Sequence, residues 1–331
     1  MAKLKFGIEL PQHLGFSYLK DMAQKAEKLG YNSVWIRDHL TIDPVEMSRF
    51  PQGYIENGQR KVSRTYLSCV PTVAAIAAVT NRITIGTDII NVPRRNPVDL
   101  ANEIAAIDMI SNGRFIFHVA IGQPTRDWAS SGVNYPLKER GKMMEEALDI
   151  MKLLWTHDDT VNFNGRYYTI ENARIGSRVV QKPHPPIWLG VGTTFKRVAK
   201  YATGFTLTSS MFGFKIEDYR ASVQKIREAA KAVGRNPDEI EPSARFAIVV
   251  GKTDAEAKKR AKDHWTKLWF QEEPWFTEWA GSPETVAGVI RPFIDAGARH
   301  ILLWPIPYGS SSDPMQDIQM FANEVITRLQ K

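Results

Sequence analysis

Three ionisable side chains, Glu9, Asp38 and His39, stand where the first two predicted strands of the chain end. Glu9 lies in the apolar run Lys5 to Leu10, and Asp38-His39 come just after the run Ser33 to Ile36. In parallel α/β proteins, ligands bind at the C-terminal ends of the strands. We therefore predict an active site there, with His39, Glu9 and Asp38 as its catalytic candidates.

The chemistry open to these residues is proton transfer. A histidine titrates close to neutral pH, so His39 can donate or accept a proton. A carboxylate in an apolar strand is costly to bury unpaired, so Glu9 should face a wet cavity or a partner. The alternative interpretation is that Asp38 only caps a turn and that His39 packs. Because neighbouring strand residues point to opposite sides, Asp38 and His39 need not touch each other.

Short apolar runs alternate with longer helical patterns along the whole chain, which is typical of βα units around a parallel sheet. Strands are predicted at Leu4 to Leu10, Ser33 to Ile36, Ile83 to Ile90, Arg114 to Ile121, Pro186 to Val191, Phe205 to Thr208, Arg245 to Gly251 and His300 to Trp304. Helices are predicted at Tyr18 to Leu29, Pro97 to Ile110, Leu137 to Trp155, Ile216 to Val233, Ala255 to Leu268 and Asp313 to Leu329. No linker divides the chain, which favours one barrel over a doubly wound two-domain protein. We therefore predict an α/β protein, a single (β/α)8 TIM barrel over residues 1–331 with insertions at about 41–64, 159–181 and 271–282.

Two of the insertions carry patterns of their own. Asn164-Gly165 stands between two short β-type runs and predicts a β-hairpin. The stretch Thr41 to Arg64 is basic and directly follows Asp38-His39, so it is either a lid over the site or a plain surface loop.

A glycine-containing turn, Gly190-Val191-Gly192-Thr193, follows the fifth predicted strand. Glycines let backbone N–H groups approach an anion, although a tight turn alone would also explain them. The seven histidines show no metal-binding spacing, and neither a Gly-x-Ser-x-Gly elbow nor a P-loop is present. We therefore expect no metal in the site.

Composition limits the class of protein. The net charge of +7 comes from Lys and Arg residues that are scattered over helix faces, so we expect no nucleic-acid partner. Cys69 is the only cysteine, which excludes an intrachain disulfide and suits a reducing compartment. No apolar run is long enough to cross a bilayer. The expectation is a cytoplasmic protein that acts on a small-molecule substrate.

A set of motifs spread over nearly the whole chain is typical of one protein family. The motifs are Phe6 to Glu9, Ala26 to His39, Asn96-Pro97, Ala101, Asp108, Ser111 to Phe115, Glu139 to Gly141, Leu154-Trp155, Asn164 to Tyr168, Pro185 to Ile187, Gly190 to Gly192, Gly281 to Glu284 and Ala296-Gly297. With these motifs the sequence resembles the bacterial luciferase-like flavin and deazaflavin oxidoreductases. Within that family it is most similar to the coenzyme F420-dependent branch, in particular to methylenetetrahydromethanopterin reductase.

The resemblance implies roles for individual residues. Asp38 would touch the deazaflavin, and His39 and Glu9 would face its reactive side. A non-prolyl cis peptide would fall at about Thr87-Asp88. The other expected cofactor contacts are Thr87, Asp88, Gln123, Gly190, Gly192 and Thr193.

Two departures bear on the substrate. The sugar phosphate and secondary alcohol dehydrogenases of this branch carry a tryptophan four residues after the histidine, where this chain has Asp43. The sugar phosphate enzyme also has a glutamate where this chain has Gln123. Both departures weigh against those two substrate classes.

The resemblance thus implies an F420-dependent oxidoreductase that exchanges hydride with a small organic substrate such as a pterin, an alcohol or a carbonyl compound. One alternative is a luciferase-like monooxygenase that uses reduced FMN. A further alternative is a flavin-binding barrel without turnover. Barrels of this family commonly pair, so a homodimer or higher homo-oligomer is expected.

Overall fold

The computed structural model describes residues 3–39, 53–56, 59–62, 66–122, 131–133, 135–190, 194–208, 215–269, 279–305 and 314–330. Eight parallel strands form a closed barrel, in which Ile187–Gly190 pairs with Phe115–Ala120 to complete the ring. The barrel strands in ring order are β1 (Lys5–Glu9), β2 (Ser33–Ile36), β5 (Thr84–Thr87), β7 (Phe115–Ala120), β10 (Ile187–Gly190), β11 (Gly204–Thr208), β12 (Glu241–Val250) and β14 (His300–Pro305). The predicted (β/α)8 barrel is confirmed.

Helices surround the barrel and cover the outward-facing residues of its strands. They are α1 (Phe16–Lys28), α2 (Cys69–Val79), α3 (Pro97–Ser111), α4 (Arg140–Thr156), α5 (Phe195–Tyr201), α6 (Ile216–Ala232), α7 (Asp254–Trp269), α8 (Pro283–Asp295), α9 (Pro314–Met320) and α10 (Thr327–Leu329), with a π-helical segment at Phe321–Ile326. Short 3₁₀ turns occupy Gln12–Leu14, Val92–Arg94, Leu137–Glu139 and Pro237–Glu239. The sequence prediction did not name α2, α5 or α8.

The remaining strands are short and lie outside the ring or extend it. The hairpin predicted at Asn164-Gly165 is confirmed, with β8 (Val161–Asn164) antiparallel to β9 (Thr169–Ala173). A second antiparallel pair, β3 (Gly53–Glu56) and β4 (Gln59–Val62), lies within the predicted insertion 41–64. Two two-residue strands, β6 (Ile90–Asn91) and β13 (Ala280–Gly281), pair with β7 and β12. Residues 271–278 of the third predicted insertion lie outside the described residues.

Two tryptophans fill the lower barrel interior, and glycines on the neighbouring strands make room for them. Trp35 is level with Gly86 on β5, and Trp188 is level with Gly204 on β11. The Trp35 and Trp188 ring centroids are 5.4 Å apart. A Cβ added to Gly86 would overlap the Trp35 ring. The lower interior is therefore close-packed, which restricts any ligand to the upper end of the barrel.

We expect Gly86→Ala to lower the free energy of unfolding by about 3 kcal/mol, because the new methyl group overpacks a site that the Trp35 ring already fills. Gly288→Ala is the matched control, since a Cβ at Gly288 would meet nothing within 4 Å and alanine favours the helix by about 0.5–1 kcal/mol. Urea unfolding of both variants measures the difference. Equal stabilities would show that the barrel interior adapts to the added volume.

A polar network closes the bottom of the barrel below Trp35. Trp35 Nε1 donates to Ser33 Oγ over 2.7 Å, and Ser33 Oγ lies 2.8 Å from His300 Nε2. His300 Nδ1 lies 3.3 Å from Glu241 Oε1, and Lys5 Nζ donates to Glu241 Oε2 over 2.8 Å. Burial lowers the pKa of His300, which keeps the ring neutral between these partners. Because Ser33 and His300 are buried, this network stabilises the fold and offers no access to a ligand.

Candidate active site

The candidate site lies at the C-terminal end of the barrel, where Glu9, Asp38 and His39 were predicted to meet a ligand. The described residues form its floor and part of its wall. Gln123, Gly192 and Thr193, which were predicted to bind the cofactor, lie outside the described residues, as do Asp43 and most of the insertion 41–64.

Glu9 forms a buried ion pair with Arg37 at the floor of the site. Arg37 Nε lies 2.5 Å from Glu9 Oε1, and the two side chains are 12% and 6% exposed. The Arg37 guanidinium carbon lies 4.2 Å from the centroid of the Trp304 ring, within the range of a cation–π contact. Glu9 Oε2 is buried and has no hydrogen-bond partner among the described residues. One oxygen of the carboxylate is therefore ion-paired, and the other is a buried acceptor without a donor among the described residues.

A second buried ion pair joins Asp88 to Arg245. The Asp88 side chain is fully buried, and its Oδ1 contacts Arg245 Nη2. Burial lowers the pKa of Arg245 to about 10, while the nearby Glu9 carboxylate opposes this shift and Arg37 adds to it. Arg245 therefore lies close to both members of the first pair. Among the described residues, the floor of the upper barrel thus pairs two arginines with two carboxylates.

His118 lies beside the second pair and is uncharged. Its Nδ1 is 3.4 Å from Asp88 Oδ1, and the side chain is fully buried. Burial lowers the pKa of His118 to about 3. Backbone hydrogen bonds with Thr87 and Leu189 favour the charged ring but do not offset this shift in pKa. The ring therefore lies in the core of the barrel as a neutral imidazole.

The low pKa of His118 predicts a loss of stability in acid. Below pH 6.5, about the pKa of histidine in the unfolded chain, the unfolded state binds a proton that the folded state does not bind. The contribution of His118 to the free energy of unfolding is therefore fully present above that pH and is lost as the pH falls. At pH 5 the cost is about 2 kcal/mol for this residue. Urea unfolding at pH 7.5 and 5.0 should show that His118→Gln loses less stability than the wild type over that interval. An equal loss would assign the effect to other groups.

Gln12 fixes the backbone of the segment that carries Arg37, Asp38 and His39. Its side chain is buried, and its Nε2 donates to Arg37 O over 2.9 Å and to Leu67 O over 2.7 Å. Its Oε1 accepts from Arg37 N over 2.8 Å and from the Tyr66 hydroxyl over 2.9 Å. A side-chain amide has two donor hydrogens and two acceptor lone pairs, and Gln12 uses all four here.

Asp38 and His39 have different neighbours, as the alternation along a strand predicts. The Asp38 carboxylate is buried, with Oδ1 2.5 Å from Arg95 Nη2 and Oδ2 3.4 Å from Arg94 Nη2. Asn91 N also donates to Asp38 Oδ2 over 3.1 Å. The His39 ring is half-buried and packs edge-on against Tyr66, with centroids 5.4 Å apart. His39 thus lies at the mouth, whereas the Asp38 carboxylate is bound by residues of the turn that precedes α3. The predicted roles of both residues stay predictions.

The opposite wall of the mouth, on β5, β7 and β10, is formed by apolar side chains and the His118 ring. A Cβ added to Gly190 would lie 2.7 Å from Ile89 Cδ1, 3.9 Å from Ala120 Cβ and 3.9 Å from His118 Nε2. The Thr87 hydroxyl donates to His118 O over 2.7 Å and accepts from His118 N over 2.9 Å. Both of these hydrogen bonds join neighbouring strands of the barrel. The non-prolyl cis peptide joins Asp88 and Ile89, one residue after the predicted position. A flat ring can lie on this wall above the buried ion pairs, so the residues present fit a flavin-like cofactor.

The comparison with protein families agrees with this geometry. A family model described as luciferase-like monooxygenase matches residues 4–287. The chain belongs to the luciferase-like monooxygenase family. The family resemblance predicted from the sequence is therefore confirmed.

Relatives of this luciferase-like protein include F420-dependent enzymes. The F420-dependent glucose-6-phosphate dehydrogenase of Amycolatopsis mediterranei is 26% identical over 343 residues, which cover 94% of each chain. The coenzyme F420-dependent tetrahydromethanopterin reductase of Methanopyrus kandleri has the same fold, with a TM-score of 0.79, 21% identity and coverage of 99% of this chain and 100% of that chain. So does the oxygenating constituent of 3,6-diketocamphane monooxygenase of Pseudomonas putida in complex with FMN, with a TM-score of 0.77, 16% identity and coverage of 99% of both chains.

Three residues of the luciferase-like site were not among the predicted candidates: Arg37, Arg245 and Gln12. Their side chains are buried at the upper end of the barrel. The sequence signal that marked Glu9 also applies to the two arginines, because each is a charged residue in or next to an apolar strand. Gln12 carries no such signal, since its role depends on backbone groups of residues 37 and 67 that only the fold brings to it.

The described residues contain neither a membrane-spanning helix nor a metal site. No helix in the described part of the chain is long and apolar enough to cross a membrane. The described ranges also contain no group of three or more His, Cys, Asp or Glu side chains placed to hold a metal ion.

Proposed function

We propose that this luciferase-like protein is a coenzyme F420-dependent oxidoreductase that exchanges hydride with a small organic substrate at the mouth of the barrel. The observation that carries the proposal is Oε2 of Glu9, a buried acceptor at the floor of the mouth that has no partner among the described residues. A buried acceptor without a donor costs about 1–3 kcal/mol, and a ligand that supplies the donor would remove that cost. The F420-dependent activity named for the relative supports the same cofactor.

The deazaflavin, when bound, would supply hydride transfer, and the protein would supply placement and a route for the coupled proton. Gly190, Ala120 and Ile89 would hold the ring on the wall of the mouth. Glu9, fixed by Arg37, would hold the proton at Oε2, and His39 at the mouth would connect the site with solvent. The sugar phosphate in the relative's name does not carry over, because this chain has Asp43 and Gln123 where that substrate class has other residues.

Parallel titrations of the purified protein with F420 and FMN, followed by cofactor fluorescence, test the proposal. We expect a Kd for F420 at least tenfold below the Kd for FMN. In Gly190→Val, whose side chain would fill the wall, F420 binding should weaken at least tenfold, whereas Gly288→Ala should bind as the wild type does. Selective FMN binding would instead favour the oxygen-dependent monooxygenase, and binding of neither cofactor would contradict both.

An F420-selective protein would then be assayed without oxygen against alcohols, carbonyl compounds, pterins and sugar phosphates. A cytoplasmic location and a homodimer also belong to this proposal; gel filtration tests the second.

A further inference from the structure

We infer that Tyr66 is a positioning residue for His39, whose imidazole it holds at the mouth of the barrel while Gln12 holds the Tyr66 hydroxyl. For the proton that His39 would carry, this inference rests on the proposed function. It deepens that function by naming the side chains that keep His39 in place between the floor of the site and solvent.

The first step of the argument is that the chain next to Tyr66 is attached to the ends of two barrel strands. Gln12, which follows β1, donates from Nε2 to Leu67 O over 2.7 Å. Cys69 Sγ donates to the carbonyl oxygen of Ile36, the last residue of β2, over 3.4 Å. The backbone that follows Tyr66 therefore cannot move without breaking hydrogen bonds to the barrel. The base of the Tyr66 side chain is thus fixed.

The second step is that the Tyr66 side chain is also fixed at its tip. Its hydroxyl donates to Gln12 Oε1 over 2.9 Å, and the same oxygen accepts from Arg37 N over 2.8 Å. Gln12 is only 1% exposed, and its amide uses all four of its hydrogen-bonding positions. The amide cannot turn without leaving buried polar groups unpaired, which is costly. The hydroxyl therefore ties the Tyr66 ring to the segment that carries His39.

The third step is the contact between the two rings. The ring centroids of His39 and Tyr66 are 5.4 Å apart and the ring planes are 80° apart, which is the edge-to-face arrangement that aromatic rings favour. His39 is only half-buried, so this contact restricts the rotation of its ring about the side-chain bonds. A proton carrier must lie within about 2.6–3.2 Å of the atom it serves, and a displacement of about 1 Å can cost about 10²-fold in rate. The Tyr66 ring thus meets a requirement of the role proposed for His39.

NMR relaxation of the ¹³C-labelled His39 ring tests the positioning without turnover, on the protein without cofactor and on the protein mixed with F420. His39→Ala identifies the signal. The wild-type ring should have an order parameter close to about 0.85, the value of rigid backbone, and Tyr66→Ala should lower it below about 0.6. Tyr66→Phe keeps the ring but loses the bond to Gln12, so its value should lie between the two.

Tyr31→Phe is the matched control. The Tyr31 hydroxyl donates to Ile318 O over 2.7 Å in a buried position, so this variant also removes a hydrogen-bonded tyrosine hydroxyl. Tyr31 precedes β2 and lies at the opposite end of the barrel from the mouth. The variant should leave the order parameter of His39 at the wild-type value.

Steady-state kinetics test what the positioning does in the reaction. Tyr66→Ala should lower kcat by about 10²-fold, the cost of a misplaced catalytic group, and Tyr66→Phe should lower it by about tenfold. The Kd for F420 should not change in either variant. In the His39→Ala background neither substitution should lower kcat further, because a positioning residue acts only through the residue that it positions. A tyrosine with a merely structural role would lower kcat by the same factor in both backgrounds.

An order parameter of His39 that is the same in Tyr66→Ala as in the wild type would overturn the inference, whichever cofactor binds. An equal loss of kcat in the presence and absence of His39 would also overturn it. If the order parameter falls as expected but F420 does not bind, the proposed cofactor is wrong and the positioning of His39 by Tyr66 stands.

Discussion

Glu9→Gln is expected to lower kcat by about 10²- to 10⁴-fold, which is the range for loss of a positioned proton acceptor, and to leave the Kd for F420 within twofold. The amide keeps the size of the carboxylate, but it cannot take up the proton that the reaction releases. Glu284→Gln is the matched control, since Glu284 is an exposed carboxylate in the first turn of α8. Steady-state kinetics and fluorescence titration of each variant separate catalysis from binding.

His39→Ala tests whether the two predicted proton carriers act together. If Glu9 and His39 form one proton route, the double variant should be no slower than the slower single variant, because residues that act as a unit are not additive. If the two reductions in kcat multiply in the double variant, Glu9 and His39 act independently of each other. If both single variants keep wild-type kcat, the catalytic assignment is wrong.

The barrel was predictable because its strands are apolar on both faces and recur between helical stretches. The strand Ser33–Ile36 was predicted to the residue. Two of the three helices that the sequence prediction missed had weak signals. Cys69–Val79 contains no charged residue, so it shows no alternation between a polar and an apolar face, and Phe195–Tyr201 is only two turns long.

The position of the candidate site in the barrel could be predicted from the sequence, but its side-chain contacts could not. Glu9 and His39 were predicted as candidates because polar residues at the C-terminal ends of barrel strands lie at one rim. The partner of each carboxylate could not be found, since it depends on the register between strands and on side-chain direction. Asp38 turns away from the mouth toward Arg94 and Arg95, whereas Arg37, its neighbour in sequence, turns inward to Glu9.

Arg245→Met is expected to lower the free energy of unfolding by about 3–5 kcal/mol, the cost of leaving one member of a buried ion pair without its partner. The Asp88 side chain is fully buried, so solvent cannot replace the guanidinium. Asp88→Asn with Arg245→Met removes both charges. This double variant should lie within about 1 kcal/mol of the wild type, because a buried pair and its uncharged substitute are often equally stable. Urea unfolding of the single and double variants measures both values.

His118 reports on the same pair independently of stability. In Arg245→Met the Asp88 carboxylate loses its cation and lies 3.4 Å from His118 Nδ1. An unbalanced carboxylate at that distance favours the imidazolium, so the pKa of His118 should rise from about 3 toward neutral. In the double variant the charge is absent and the pKa should stay low. NMR titration of the His118 ring follows this difference; the same low pKa in both variants would show that burial, and not the Asp88–Arg245 balance, keeps the ring neutral.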